Sequence, residues 1–307
     1  MTPTGVTRIA ITLGDPRGIG PEIVRKALAD ARIRALAVSW LVVGPTGTEQ
    51  PVDDAVGAWE PSVDAVADAA RAGGLAGRAV MRAADLALAG EIDGMVTAPL
   101  DKAALYAGGY DYPGHTEMLG ARANVATTMM LASDRLRVVL ATTHLPLRDV
   151  PKAVTHEAIV RAAQATRLGL QQDFGIAEPR IALCALNPHG GDGGRFGDED
   201  ARLLAPAARA AGIAGPYSAD TVFVRAMRGE FDAVIAPYHD VGMTAIKVAS
   251  FGDAVNVTLG LPFVRTSPDH GTALDIAGRG VASAESMIVA MQLASGLVAR
   301  RSSTRRV

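Results

Sequence analysis

Short apolar runs alternate with longer, alanine-rich segments along the whole chain. The apolar runs, among them residues 8–13, 94–99 and 232–236, have the length and composition of buried strands. The longer segments, among them residues 153–172 and 284–298, repeat apolar positions at helical spacing. This alternation predicts an α/β protein.

The remaining elements follow the same alternation. We predict strands at 40–43, 180–186, 255–259 and 263–266, a hairpin of strands at 127–132 and 136–141, helices at 62–72, 75–89 and 198–211, and a loop at 110–117. No internal repeat and no low-complexity linker interrupts the pattern. A chain of 307 residues is long enough for two subdomains, and we expect them to pack closely.

Three of the six histidines, His144, His189 and His239, stand just after apolar runs. The carboxyl ends of strands are where open α/β sheets gather ligand-binding groups. Neutral imidazole is a common ligand of zinc-like divalent ions. A single histidine in this setting is more often a hydrogen-bonded structural residue, but three of them suggest convergence on one ion.

A glycine-rich turn at residues 14–22 joins the first strand to a helix. Its backbone amides can hold an anion, although the same glycines also suit a tight turn alone. Its spacing lacks the third glycine of the dinucleotide fingerprint. Lys102 follows the end of another strand. It is either a cation that binds phosphate or carboxylate, or a solvated surface residue. His115 and Thr116 place an imidazole beside a hydroxyl, which suits the same anions.

The densest polar group surrounds residues 238–240. Asp240 can orient a histidine, ligate a metal or act as a base. Lys247 and Arg265 add positive charge, and arginine suits two-pronged contact with phosphate or carboxylate. A metal site beside an anion site would serve a hydrolase or a metal-assisted dehydrogenase of a hydroxy acid.

Composition argues against several classes of function. The net charge is −2, aromatic residues make up 4% of the chain, and no basic stripe is present, so we expect no nucleic-acid partner. No apolar run approaches the length of a membrane span, and the first residues do not resemble a signal peptide. We therefore expect no membrane partner and a cytoplasmic location. The single cysteine excludes a disulfide scaffold within the chain.

The motifs also match one enzyme family in order and spacing. They are Gly-Asp-Pro-x-Gly-Ile-Gly-Pro-Glu (14–22), Val-Thr-Ala-Pro-x-x-Lys (96–102), Gly-His-Thr-Glu (114–117), Ala-Thr-Thr-His (141–144), Leu-Asn-Pro-His-x-Gly (186–191), Ala-Asp-Thr (219–221), Tyr-His-Asp (238–240), Val-Asn-x-Thr-Leu-Gly-Leu-Pro-Phe-x-Arg-Thr-Ser (255–267) and Asp-His-Gly-Thr-Ala (269–273). With them the chain resembles the 4-hydroxythreonine-4-phosphate dehydrogenase family, including its phospho-aldonate dehydrogenase siblings.

The resemblance implies a fold similar to isocitrate and isopropylmalate dehydrogenases, with two α/β subdomains and a cleft between them. We expect residues 1–114 and 266–307 to form the first, discontinuous subdomain. Residues 115–265 would form the second, which would carry the metal ligands and the dimer interface. The family is homodimeric, with active sites shared between the subunits.

The implied reaction is an oxidation of a small phosphorylated hydroxy acid by NAD, with NADP as a possible replacement. One divalent metal ion, zinc, magnesium or cobalt, would serve each active site. The expected substrate is 4-hydroxythreonine-4-phosphate, which loses its carboxylate after oxidation to give 3-amino-2-oxopropyl phosphate for pyridoxal phosphate. Dehydrogenation of 4-phospho-D-threonate or 4-phospho-D-erythronate in sugar-acid catabolism is the alternative. A metal-dependent phosphohydrolase is a more distant one.

The resemblance also assigns roles to individual residues. The metal ligands are His144, His189 and His239, the last of which we expect to reach across from the partner. The substrate contacts are His115, Thr116, Lys247, Asn256 and Arg265. The candidates for catalysis, through the surroundings of the metal or proton transfer, are Asp220, Asp240 and Lys247. A wall of the cofactor site is expected at Asp269, His270, Gly271 and Thr272.

Three features depart from the family pattern. Val241 stands where glutamine usually follows Tyr-His-Asp. The segment between residues 43 and 63 is shorter than usual, so an edge strand is expected to be missing, and the stretch before Asp220 is also shortened. None of the three removes a metal or substrate residue, but each bears on which substrate is preferred.

Overall fold

The computed structural model describes residues 6–250 and 253–304, and the chain divides into two compact units. The first unit comprises the described residues up to Thr127 and those from Val255 onward, and the second comprises Thr128–Ala254. Each unit consists of a mainly parallel sheet and helices. The predicted α/β fold class is confirmed.

The elements are numbered in chain order. The strands are β1 (Thr7–Thr12), β2 (Val38–Thr46), β3 (Asp54–Ala58), β4 (Gly94–Thr97), β5 (Thr128–Ala132), β6 (Arg137–Leu140), β7 (Ile181–Cys184), β8 (Ala214–Tyr217), β9 (Ala233–Ala236), β10 (Val255–Leu259) and β11 (Val264–Pro268). The helices are α1 (Gly20–Ala29), α2 (Ala31–Arg34), α3 (Ala65–Leu88), α4 (Lys102–Ala107), α5 (His115–Ala123), α6 (Val150–Ala153), α7 (His156–Gln172), α8 (Ala205–Ala211), α9 (Ala219–Met227), α10 (His239–Ser250) and α11 (Glu285–Thr304). None of the helices in the described ranges is long and apolar enough to cross a bilayer.

In the first unit the strand order is β3-β2-β1-β4-β11-β10, parallel except for the antiparallel pair of β10 and β11. Strand β1 pairs with β2 along one edge and with β4 along the other, so the strand order reverses at β1. Such a reversal of strand order opens a crevice beyond the carboxyl ends of the strands. The loops after β1 and β4 meet there, because the Asp15 amide donates to the Pro99 carbonyl (3.0 Å).

One long helix, α3, covers this sheet where the sequence predicts two helices at 62–72 and 75–89. The predicted break falls at Gly73 and Gly74, which lie inside the helix. Glycine there serves close packing, because a Cβ on Gly73 would lie 1.8 Å from the carbonyl oxygen of Ala104 in α4. The glycine pair is therefore the contact surface for α4 and does not end the helix.

In the second unit the strand order is β5-β6-β9-β7-β8, parallel except for the antiparallel hairpin of β5 and β6. Strand β9 lies between β6 and β7, and the described parts of all three are buried apolar runs that pack with α9 and α10. The three histidines singled out above follow these three neighbouring strands. Parallel pairing therefore directs the loops that carry them to the same edge of the sheet.

Two further features differ from the sequence-based expectations. The edge strand expected to be missing is present as β3, which pairs with β2. The unit boundaries fall at 127/128 and 254/255, whereas we expected them at 114/115 and 265/266. The reason is packing, since α5 lies against α3 and β11 pairs with β4, which keeps both elements in the first unit.

We expect Gly73→Ala to lower the free energy of unfolding by about 1–3 kcal/mol, because the added methyl group forces α3 away from α4. Gly74→Ala is the matched control. Its Cβ would meet the Gly108 carbonyl oxygen at an ordinary 3.5 Å, so the better helix propensity of alanine should raise stability by up to about 1 kcal/mol. Urea denaturation of both variants measures the difference. Equal shifts for the two would contradict the close-packing interpretation of α3.

Candidate active site

Arg265 on β11 is a buried cation, with 2% of its surface exposed. Its Nη1 donates to the Thr258 hydroxyl (3.0 Å) and its Nη2 to the Thr97 hydroxyl (2.6 Å). Its Nε is buried and has no partner within the described residues. Burial lowers the pKa of Arg265 to about 9, which leaves the guanidinium charged at neutral pH. A buried charge that binds only hydroxyls is an attractive site for an anion.

His115, the first residue of α5, is near this cation. Burial, together with the positive charges of Arg265 and Lys102, lowers the pKa of His115 well below its usual value. The imidazole is therefore neutral at pH 7. Its Nε2 is buried and has no hydrogen-bond partner among the described residues. Lys102 also lies close to the start of α5, since a Cβ on Gly114 would be 3.9 Å from the Lys102 Cε.

Asn256 on β10 carries a third buried atom, Oδ1, that lacks a partner in the described part of the chain. It lies two residues before Thr258, so both side chains are on the same face of the strand. We define Lys102, His115, Asn256 and Arg265 as the anion site. Buried polar atoms are nearly always hydrogen-bonded in folded proteins, so three orphaned atoms in one site indicate groups reserved for a ligand.

A cavity of about 580 Å³ lies at the start of α1, and we name it the α1 cavity. Its size is in the usual range for small-molecule sites. The buried carboxylate of Asp15 fixes Arg17 on one wall, accepting from Nε (3.0 Å) and Nη2 (2.7 Å). The lining residues are Pro16, Arg17, Gly18, Pro21, Gly47, Thr48, Glu49, Trp59, Ala277, Gly278, Arg279 and Gly280.

In the second unit the structure brings His144 and His239 together. Their ring centroids are 5.5 Å apart. The loops that carry them are tied by the amide of Ala141, which donates to the Ala236 carbonyl (2.9 Å), and by the hydroxyl of Thr142, which donates to the Pro237 carbonyl (2.8 Å). His239 thus reaches His144 within one chain, and this pair does not need a contribution from a partner.

Asp240 lies beside the histidine pair, with its Oδ1 2.7 Å from Nδ1 of His239. A carboxylate in this position holds the proton on Nδ1 and leaves Nε2 for a metal ion. Metal-binding histidines commonly have such an arrangement. The predicted role of Asp240 in orienting a histidine is consistent with this geometry.

His189 occupies an unusual backbone segment. From His189 to Gly194 all φ values are positive, including 54° at His189 and 44° at Asp192. His144 is also left-handed, with φ of 51°. Within residues 6–250 and 253–304, no group of three or more His, Cys, Asp or Glu side chains is placed to hold a metal ion. His189 therefore does not complete a three-histidine cluster inside a single chain.

The other predicted site residues lie elsewhere in the two units. Asp220 is exposed in the first turn of α9, and Lys247 is exposed on α10. Thr116 follows His115 in α5. Asp269, His270, Gly271 and Thr272 are not among the residues that line the α1 cavity. Thr272 lies directly behind the lining residue Gly18, and its carbonyl accepts from the Ile19 amide (2.9 Å).

Several site residues were missed from the sequence. Thr97 and Thr258 hold Arg265, and the available signal was the position of Thr97 at the end of a predicted strand. The cavity walls at 47–49 and 277–280 carry no motif that distinguishes them from ordinary loops. Only the three-dimensional contact of these loops with the start of α1 identifies them.

Comparisons with known proteins identify related chains over nearly the full length. A family model described as "Pyridoxal phosphate biosynthetic protein PdxA" matches residues 22–294. A relative from Geobacter metallireducens, named 4-hydroxythreonine-4-phosphate dehydrogenase, is 44% identical, covering 95% of this chain and 96% of the relative. The crystal structure of 4-hydroxythreonine-4-phosphate dehydrogenase from Klebsiella pneumoniae matches with a TM-score of 0.81 and 38% identity, covering 95% of this chain and 99% of that one.

A more distant likeness concerns the fold alone. Isocitrate dehydrogenase from Methylococcus capsulatus matches with a TM-score of 0.53 at 17% identity, covering 98% of this chain and 88% of that one. The expected similarity to the isocitrate dehydrogenase fold is confirmed.

We expect His115 to make the protein less stable in acid. Because the pKa of His115 is lowered in the folded protein, the unfolded chain binds a proton more readily than the folded one. The free energy of unfolding is therefore unaffected by His115 above its usual pKa of 6.5, and it decreases as the pH falls below that value. His115→Gln should therefore lose less unfolding free energy than the native chain between pH 7 and pH 5. Urea denaturation at several pH values compares the two slopes. Parallel slopes would show that His115 is not held neutral by its surroundings.

Proposed function

The chain belongs to the pyridoxal phosphate biosynthetic protein PdxA family, and on this basis we propose that it oxidises 4-hydroxythreonine-4-phosphate. The observation that carries the proposal is Arg265, a buried guanidinium whose hydrogen bonds within the described ranges go only to hydroxyl groups and whose Nε has no partner there. Such a cation is suited to a phosphate or a carboxylate, and the substrate has both.

The anion site divides the recognition of the substrate among its members. Arg265 and Lys102 neutralise the negative charge, and the planar guanidinium fixes the orientation of the group it binds. The neutral imidazole of His115 offers a hydrogen bond through Nε2, which has no other partner within the described residues. Asn256 Oδ1 accepts a hydrogen bond from a hydroxyl or an ammonium group of the substrate.

The dinucleotide cofactor, NAD or NADP, binds in the α1 cavity. Three observations support the fit: the volume of about 580 Å³, the start of α1 without a side-chain cap among the described residues, and the guanidinium of Arg17 on the wall. A Cβ on Gly18 would lie 2.8 Å from the Thr272 carbonyl oxygen, so the backbone of this turn is closely packed. The cofactor would be held by these loops, in place of a Rossmann turn.

The divalent metal ion, zinc, magnesium or cobalt, is held by His144 and His239. Two imidazoles with a carboxylate behind one of them form a suitable donor set, although two ligands are fewer than a zinc-like ion requires. A homodimer with shared active sites supplies further ligands, and His189 is our candidate among them. We propose that the second unit carries the metal ligands and the dimer interface.

The reaction moves a hydride from C3 to the cofactor and the proton of the C3 hydroxyl group to a base. The resulting 3-oxo acid then loses carbon dioxide, and C2 takes up a proton to give 3-amino-2-oxopropyl phosphate. When bound, the oxidised cofactor supplies the hydride acceptor and the metal ion supplies positive charge for the C3 oxygen. The chain's own contribution is orientation by the anion site and transfer of the hydroxyl proton. Our candidates for that transfer are Asp240, Asp220 and Lys247, of which Asp240 lies beside His239.

Formation of NADH by metal-loaded protein, followed by absorbance, tests the proposed function. 4-Hydroxythreonine-4-phosphate should give the highest kcat/KM among the three candidate substrates. Preference for 4-phospho-D-threonate or 4-phospho-D-erythronate would replace our proposal with sugar-acid catabolism. Release of inorganic phosphate without NADH would indicate a phosphohydrolase.

We expect Arg265→Met to raise the substrate KM roughly ten- to a hundredfold with a smaller effect on kcat, because a charged hydrogen bond to the substrate is lost while the side-chain volume is kept. Arg135→Met, at the exposed turn between β5 and β6, is the matched control. Steady-state kinetics of both variants provides the measurement. An unchanged KM for Arg265→Met would remove this residue from the substrate site.

For the metal site, His239→Ala and His189→Ala should abolish activity, and the former should also lose bound metal. Asp240→Asn should weaken metal binding by about ten- to a hundredfold, because it alters the support of His239. His156→Ala, on α7, is the control histidine. Metal content by mass spectrometry and titration against a chelator measure the effects directly. Normal metal content in His239→Ala would contradict the assignment.

A further inference from the structure

The loop between β11 and α11 forms one wall of the α1 cavity. Its residues 277–280 line the cavity. Gly278 and Gly280 have left-handed φ values of 73° and 70°, and a Cβ on either would meet no described heavy atom within 4 Å. Neither glycine is held by close packing, so the position of this wall depends on hydrogen bonds.

The loop is tied to the α1 region at its near end through Thr272. The Ile19 amide donates to the Thr272 carbonyl (2.9 Å), and Gly18 packs directly against the same residue. Gly18 itself also lines the cavity. One end of the glycine loop is thus fixed to another lining segment.

Lys26 on α1 ties the far end of the loop. Its ammonium group donates to the carbonyl of Gly280 (3.0 Å), to the carbonyl of Ala282 (2.7 Å) and to Oε1 of Glu22 (2.7 Å). An ammonium group has three hydrogens, so all of its donors are engaged. Two of the three hold the backbone of one short segment.

Glu22 completes this tie from the first turn of α1. It is 1% exposed, and its Oε1 also accepts from the Ala282 amide (2.9 Å). Burial raises the pKa of Glu22, but the hydrogen bonds from Lys26 and Ala282 outweigh burial and lower it overall, so the carboxylate is charged at neutral pH. The pair places opposite charges one helical turn apart and binds both polar groups of Ala282. We call this pair the α1 clamp.

We propose that the α1 clamp, Glu22 and Lys26, positions residues 277–280 as a wall of the cofactor site and so sets the affinity for the dinucleotide. The proposal rests on the proposed function, which places the cofactor in the α1 cavity. Neither clamp residue lines the cavity, so both act through the loop. They are positioning residues, and their loss should affect cofactor binding more than chemistry.

Lys26→Met tests the clamp in the metal-loaded enzyme. It keeps an unbranched side chain of similar length but removes every donor. We expect the KM for the cofactor to rise roughly tenfold, the size of one lost charged hydrogen bond, with kcat at saturating cofactor and the substrate KM unchanged. Lys26→Arg should restore part of the loss. Lys152→Met, an exposed lysine on α6, is the matched control.

Two measurements separate the clamp from a general structural role. NADH fluorescence titration without substrate should show the same loss of affinity in Lys26→Met. Hydrogen exchange should become faster at the amides of residues 277–282 and remain unchanged in the second unit. Glu22→Gln, which removes the charge but keeps the shape, should act in the same direction and serves if Lys26→Met does not fold.

Ala277→Trp distinguishes failure of the clamp from failure of the proposed cofactor site, because an indole at this lining position would take up space in the α1 cavity. If Ala277→Trp raises the cofactor KM but the clamp variants do not, the clamp proposal is wrong and the cofactor site stands. If neither changes it, both are wrong. If Lys26→Met raises the substrate KM as much as the cofactor KM, the clamp is a general stabilising contact, and our proposal fails.

Discussion

Parallel strand pairing is the constraint on which the α1 cavity and the histidine pair depend. Parallel neighbours direct their carboxyl ends to the same sheet edge, so loops distant in sequence are brought together. In the first unit this joins the loops after β1 and β4 through Asp15 and Pro99. In the second unit it places His144 and His239 side by side after β6 and β9. The α1 cavity and the histidine pair are therefore assembled from loops, while their positions are set by buried apolar strands.

The anion site shows how a fold can keep a charge ready for a ligand. Burying Arg265 with no carboxylate hydrogen-bonded to it among the described residues costs stability, and the two threonine hydroxyls offset only part of that cost. Glu117 adds a negative charge that raises the pKa of Arg265, whereas Lys102 and the neutral His115 add none. An anionic ligand would supply further negative charge and bond the orphaned atoms. The second unit differs, because its imidazole pair is supported by the carboxylate of Asp240.

Local patterns were sufficient to predict much of the fold and part of the sites. Apolar periodicity predicted the α/β class. The position of His144 and His239 after strands predicted that their side chains lie close together. The unbroken α3 could not be predicted, since Gly73 is explained only by its contact with α4. The short, half-exposed strand β3 lacked a clear pattern. The cavity wall at 277–280 and the role of Lys26 depend on tertiary hydrogen bonds, which no local pattern encodes.

The left-handed backbone at His144 and His189 has a consequence for how these positions tolerate change. A residue with a Cβ pays a conformational penalty of roughly 1–2 kcal/mol in this region, whereas glycine does not. Glycine would therefore remove this conformational penalty at the two positions where we propose that an imidazole binds the metal ion. Selection for a sturdier protein and selection for its chemistry act in opposite directions there, so a search for thermostable variants that ignored activity would tend to erase both histidines.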